Sequence, residues 1–157
     1  MFREIQLQEA IVVKGVSIKL SNSQNKNYLH IRELWQSFNA QLANNEIKLE
    51  RNWRKFGVVF RAENAYFYLA GINCLENFYG FESINLLGGA YASFRHHGAM
   101  SKLKDFYYHL YKKIIPDMNL NINKNREILH YELYTNQFNW NNANSVIDIF
   151  VPLSSEN

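Results

Sequence analysis

GGAYASFRHHGAMSKLKDFYYHLYKKIIP (Gly88–Pro116) reads as a glycine-led strand running to His96, a short turn, and a helix from Ser101 to Ile115. Ser101 stands at the N-cap position. Leu103, Phe106, Tyr107, Leu110 and Ile114 form one apolar stripe at helical spacing, Lys112 and Lys113 suit the negative end of the helix dipole, and Pro116 stops the helix. Two strands follow, Ile128–Thr135 and Val146–Leu153, separated by an Asn-rich turn. The first half of the chain repeats this order. Ile11–Leu20 is a β-branched strand with a bend at Gly15, Ser21–Asn27 is a loop, and Tyr28–Ala43 is a helix whose apolar residues are Ile31, Leu34, Trp35, Phe38 and Leu42. A polar, basic connection leads to Phe56–Phe60 and Ala65–Cys74, two strands around the turn Arg61–Asn64. A strand-helix-strand-strand unit used twice, over about residues 6–76 and 86–153, predicts an α+β fold with pseudo-twofold symmetry. Two curved antiparallel sheets with outer helices would leave a central ligand groove between the halves.

The chain has 157 residues, 47% apolar and 20% charged, which supports one core and one domain over residues 1–157. Its formal charge is +3, with the surplus confined to residues 1–80. That is too small and too dispersed for a nucleic-acid-coating surface, so no direct nucleic-acid partner is expected. The single cysteine, Cys74, precludes an internal disulfide and points to a cytoplasmic address. Met1–Ala10 lacks the basic start and apolar run of a signal peptide, and no stretch approaches the roughly 18 consecutive apolar residues of a membrane span.

Two features invite a chemical reading: the aromatics, 11 Phe, 10 Tyr and 3 Trp, and an acid inside an apolar strand. In Val146–Pro152, alternation puts Ile147, Ile149 and Val151 on one face and Val146, Asp148 and Phe150 on the other. A carboxylate there is costly unless its face is wet or its charge is paired. Facing an aromatic-lined groove, Asp148 would attract a lipophilic cation; on an open edge it would be an ordinary solvated residue. Tyr66 and Tyr68 share a strand face and Tyr131 and Tyr134 lie on another strand; each either lines the groove or packs in the core with its hydroxyl at the rim. His96 and His97 are neighbours in a strand and so point to opposite faces, a poor chelate, and no metal or cofactor is expected. The Gly88-Gly89 pair precedes a strand and so lacks the helix N-terminus of a phosphate cradle. Lys48, Arg51, Arg54 and Lys55 alternate with Glu46 and Glu50, as a solvated connection does.

Taken in order, these pieces resemble the GyrI-like small-molecule-binding domain, also known as the effector-binding domain of AraC-type and MerR-type transcription activators. The matching stretches are VVKGVSIKL, IRELWQSF with Trp35, FGVVF, AYFYLAGINC with Tyr68, GGAYASFRHHG with Tyr91, DFYYHLYKKIIP, and the closing IDIFVPL, together spanning about Gln6 to Leu153. The resemblance implies a groove for small cationic aromatic compounds, with the acid of the closing strand, here Asp148, at its base. It also sets the family's Phe-Glu-x-Tyr against Ile128-Leu129-His130-Tyr131, where Leu129 stands in the place of the acid and Glu132 is nearby. The ligand-binding set expected from alternation and resemblance is Asp148, Phe150, Tyr66, Tyr68, Tyr91, Tyr131, Tyr134 and Trp35.

The leading functional expectation is a stand-alone domain that senses or sequesters a lipophilic cation, without catalysis. A protein-interaction role, with DNA gyrase or a separate regulator as partner, is the alternative. Hydrolysis of a small electrophile by groove carboxylates and tyrosines is a third reading.

Overall fold

In the computed structural model, which describes residues 2–7, 9–123 and 126–154, the alternating β-branched and aromatic stretches become strands. The described residues form β1 (Phe2–Leu7), β2 (Ile11–Lys19), β3 (Arg54–Ala62), β4 (Ala65–Asn73), β5 (Glu82–Leu86), β6 (Gly89–His97), β7 (Ile128–Thr135) and β8 (Val146–Pro152). Helix α1 (Gln24–Asn44) joins β2 to β3, and helix α2 (Leu103–His109) lies between β6 and β7. Met1, Gln8, Lys124, Asn125 and residues 155–157 of the expected domain lie outside the described residues. The β7 boundaries match the expected ones; β1 and β5 are additional edge strands that the sequence pattern left unassigned.

All eight strands join one antiparallel sheet, the β3–β7 pair uniting the two expected ones, in the order β1-β6-β8-β7-β3-β4-β2-β5. The order is palindromic about the β7–β3 pair: β6-β8-β7 of the second repeat mirrors β2-β4-β3 of the first, as a twofold axis between β3 and β7 requires. The sheet is curled into a half-barrel, and the link between β5 and β6 shows why it must be. These strands stand six places apart, which on a flat sheet is about 29 Å. Only Leu87 and Gly88 connect them, a reach of at most about 11 Å.

The two sheet faces bury different cores. On one, α1 and α2 cover Tyr68, Ala70 and Ile72 of β4, Phe94 of β6, Tyr134 of β7 and Ile147, Ile149 and Val151 of β8. On the other, Val13, Phe56, Val58, Leu69, Leu86, Tyr91, Tyr131 and Phe150 pack together with no helical residue among them, enclosed by the curl itself.

The helix boundaries differ from expectation for local reasons. Helix α1 starts four residues before Tyr28, because the Ser23 hydroxyl accepts from the Lys26 N–H and caps a polar first turn that apolar periodicity cannot register. Ser101 makes no cap; it lies inside a 3-10 turn, Met100–Lys102, that leads into α2. After α2 the helix widens into a π-helical turn at Leu110–Ile114, and a last turn carries Pro116 at its start. The extra residue of the π turn moves the buried position after Leu110 from Ile114 to Ile115.

Candidate functional site

A cavity of about 620 Å³ opens between α1 and α2 on the helix-covered face. Its floor comes from Val59 of β3, Tyr68 of β4 and Leu129, His130 and Glu132 of β7; its walls come from Tyr28 and Ile31 of α1, Leu103 and Tyr107 of α2, and Trp140. Tyr66 and Tyr108, 48% and 61% exposed, stand at the mouth, with Lys104 near them. A β-bulge shapes the floor. Val59 pairs with His130 and Phe60 with Ile128, so Leu129 is left without a partner and both Leu129 and His130 reach the cavity.

Glu132 is buried, and three phenols donate to its carboxylate: Tyr68 to Oε1 at 2.6 Å, Tyr134 to Oε1 at 2.7 Å and Tyr107 to Oε2 at 2.6 Å. The Trp35 indole N–H donates to the Tyr68 hydroxyl at 3.0 Å, which directs that hydroxyl's own proton toward Glu132. Burial pushes the Glu132 carboxyl above the usual carboxylate range, and the three phenol donors pull back against that rise. The same burial, together with the acid, raises Tyr68, Tyr107 and Tyr134, so they stay protonated as donors. His130 shares a 2.7 Å hydrogen bond with the Tyr111 hydroxyl, and burial lowers its imidazole to about 3, leaving it neutral. Among the described residues, Glu132 forms no ion pair with a Lys, Arg or His, whereas Asp148 pairs with Arg95. Glu132 therefore meets phenols and rings, and no Lys, Arg or protonated His.

Gly57 makes room for this arrangement. It lies opposite Glu132 on the neighbouring strand, and a Cβ there would overlap both the Tyr68 hydroxyl and the Glu132 carboxylate.

The structure brings together only part of the expected set. Tyr66 and Tyr68 line the cavity, while Trp35 and Tyr134 stand behind it and act through Tyr68 and Glu132. Asp148 and Phe150 lie on the opposite sheet face, with Tyr131 and Tyr91. Phe150 stacks on Tyr131 at 4.6 Å and Tyr91 meets Tyr131 edge-on at 5.5 Å, inside the curl. Asp148 sits across from Arg95 and binds it through two bonds of 2.8 and 3.1 Å at the surface. The acid at the base of the cavity is Glu132, on β7 and not on the closing strand. Its signal was in the sequence three residues beyond the expected place: Tyr131-Glu132-Leu133-Tyr134 reads aromatic-Glu-x-Tyr.

A family model for a GyrI-like small molecule binding domain matches residues 1–154. No curated protein sequence matches the chain. Among solved structures, SAV2435 bound to tetraphenylphosphonium is similar over 99% of this chain and 94% of its own, with a TM-score of 0.75 at 17% identity. An integron cassette protein from the mobile metagenome of Vibrio cholerae is similar over 98% and 95%, with a TM-score of 0.69 at 15% identity. A hydrolase from Listeria innocua is more distant, with a TM-score of 0.53 at 8% identity over 98% and 91%. At these identities the likenesses establish the fold.

Proposed function

This chain belongs to the GyrI-like small-molecule-binding family, and from that premise we propose that its cavity binds a lipophilic aromatic cation whose charge is met by Glu132. The observation that carries the reading is a buried carboxylate without a cationic partner among the described residues, at the floor of an aromatic-walled cavity. A carboxylate in that environment gains from an incoming positive charge, because Coulomb attraction strengthens as water is excluded. Desolvation of the ligand offsets much of this gain, and ring faces return roughly 0.5–2 kcal/mol each by cation–π attraction. The cavity volume of about 620 Å³ falls in the range that encloses a drug-sized molecule. Affinity on the order of micromolar follows. Support from outside the chain is the tetraphenylphosphonium held by SAV2435, on the same fold.

The two repeats, about residues 6–76 and 86–153, act here as one domain, since α1, β3 and β4 of the first and α2 and β7 of the second all contribute to the cavity. Sensing or sequestration of the ligand is the resulting role. Hydrolysis is the competing use of a buried acid among phenols, and it predicts turnover of activated aryl esters that disappears in Glu132→Gln.

The deciding experiment compares tetraphenylphosphonium with tetraphenylborate, ions of one shape and opposite charge. Trp140 in the wall and Trp35 behind Tyr68 report occupancy by fluorescence. Saturable binding of the phosphonium, with the borate at least about a hundredfold weaker, is the expected result. Equal binding of the two would remove Glu132 from the recognition step.

A further inference from the structure

A carboxylate offers two in-plane lone-pair sites on each oxygen, four in all. At Glu132, Tyr68 and Tyr134 fill both sites of Oε1, and Tyr107 fills one site of Oε2. The acid therefore lacks charge compensation while its hydrogen-bonding capacity is nearly used. Two polar residues of the lining are engaged as well: Asn27 bonds the backbone and hydroxyl of Ser21, and His130 Nδ1 is taken by Tyr111.

We propose that this cavity selects onium cations, those without N–H donors, over protonated amines of the same carbon frame, and that the Tyr107 hydroxyl sets the preference. The inference rests on the reading that Glu132 receives the ligand's charge. A quaternary nitrogen or phosphorus asks only for negative potential and ring faces, both of which the floor and walls present. A protonated primary amine brings three N–H donors to a site with one remaining carboxylate lone pair, and donors left unmet in a dry cavity weaken binding. Tyr107 is the decisive donor. It is the only one of the three on Oε2, and it lines the cavity, whereas Tyr134 stands behind the floor. Removing its hydroxyl while keeping its ring opens a second lone pair on the ligand's side.

The test uses a 4-phenylbenzyl frame bearing a primary, secondary, tertiary or quaternary ammonium, titrated calorimetrically near neutral pH into the wild-type protein and into Tyr107→Phe. In the wild type, affinity is expected to climb with each N–H removed, the quaternary ion binding roughly tenfold or more tightly than the primary one. In Tyr107→Phe that ratio is expected to shrink roughly threefold or more, mainly through tighter binding of the primary amine. A flat wild-type series overturns the selectivity, and this needs no variant. An unchanged ratio in a Tyr107→Phe protein that melts like the wild type overturns the assignment to Tyr107. If the folded wild-type protein binds none of the four, the cation reading itself fails and takes this inference with it. That outcome is distinct from equal binding of all four, which overturns the selectivity alone.

Discussion

Glu132 and Asp148 are both acids in apolar strands, and only their surroundings separate them. Glu132 is buried under three phenols, while Asp148 spends its charge on Arg95 at the surface. Glu132→Gln is expected to weaken tetraphenylphosphonium binding at least about tenfold. It should also leave the melting temperature at neutral pH unchanged or raised, because the amide accepts from Tyr68 and Tyr134 and donates to Tyr107 without a buried charge. Asp148→Asn is expected to leave that affinity within about twofold of the wild type, since the Arg95 pair is exposed and on the other sheet face; fluorescence titration checks both variants. Gly57→Ala forces its methyl group into the Tyr68–Glu132 bond, and should lower both the melting temperature and cation affinity. Period-two alternation showed that Asp148 shares a face with Phe150, and that was correct. It did not show which face meets the helices. That depends on pairing: Asp148 lies opposite Leu133, whereas Glu132 lies opposite Ile149, a residue of the helix-covered core.

Among the elements, helix α1 shows how a local signal controls a distant wall. Its first turn supplies Gln24, Asn27 and Tyr28 to the cavity lining, and that turn is held by the Ser23 cap and by the Asn27 bonds to Ser21. Ser23→Ala is expected to cost about 1 kcal/mol, read as a drop of about 2–4 °C in melting temperature for a chain of this length. The elements least legible beforehand owe their form to packing. The π-helical turn at Leu110–Ile114 places Leu110 and Ile115 in the core five residues apart, a spacing that neither helical nor strand periodicity anticipates. The bulge at Leu129 likewise breaks alternation where it matters most, putting two consecutive residues on the floor of the cavity. Strands β1 and β5 are short edge strands whose Ile5, Leu7, Ile84 and Leu86 find their apolar partners only once the sheet has curled.

Across the whole molecule, two buried titratable groups sit side by side on β7 with opposite pH signatures. The folded state holds a proton on Glu132 more tightly than the unfolded chain does, so its stabilising contribution is present below pH 4.5 and is lost as pH rises through the folded value. Cation affinity should therefore rise with pH through a midpoint above 4.5, with proton release on binding, and calorimetry in buffers of different ionisation enthalpy measures that release. His130 runs the other way. Its imidazole falls from 6.5 to about 3 on folding, so stability is full above about 6.5 and drains away as pH falls toward about 3. Melting curves against pH should show that decline, and His130→Gln should flatten it. Local pattern in the chain was enough for the repeated strand-helix-strand-strand order, the α+β class and the apolar stripe of α1, because periodicity and turn chemistry act over a few residues, while the order of the motifs carried the family resemblance. The identity of the buried acid, the separation of the tyrosines into cavity and inner-core sets, and the space left by Gly57 came from the order and curl of the sheet. These join residues 57, 68 and 132, and their contact depends on which strands lie side by side and which face the helices cover.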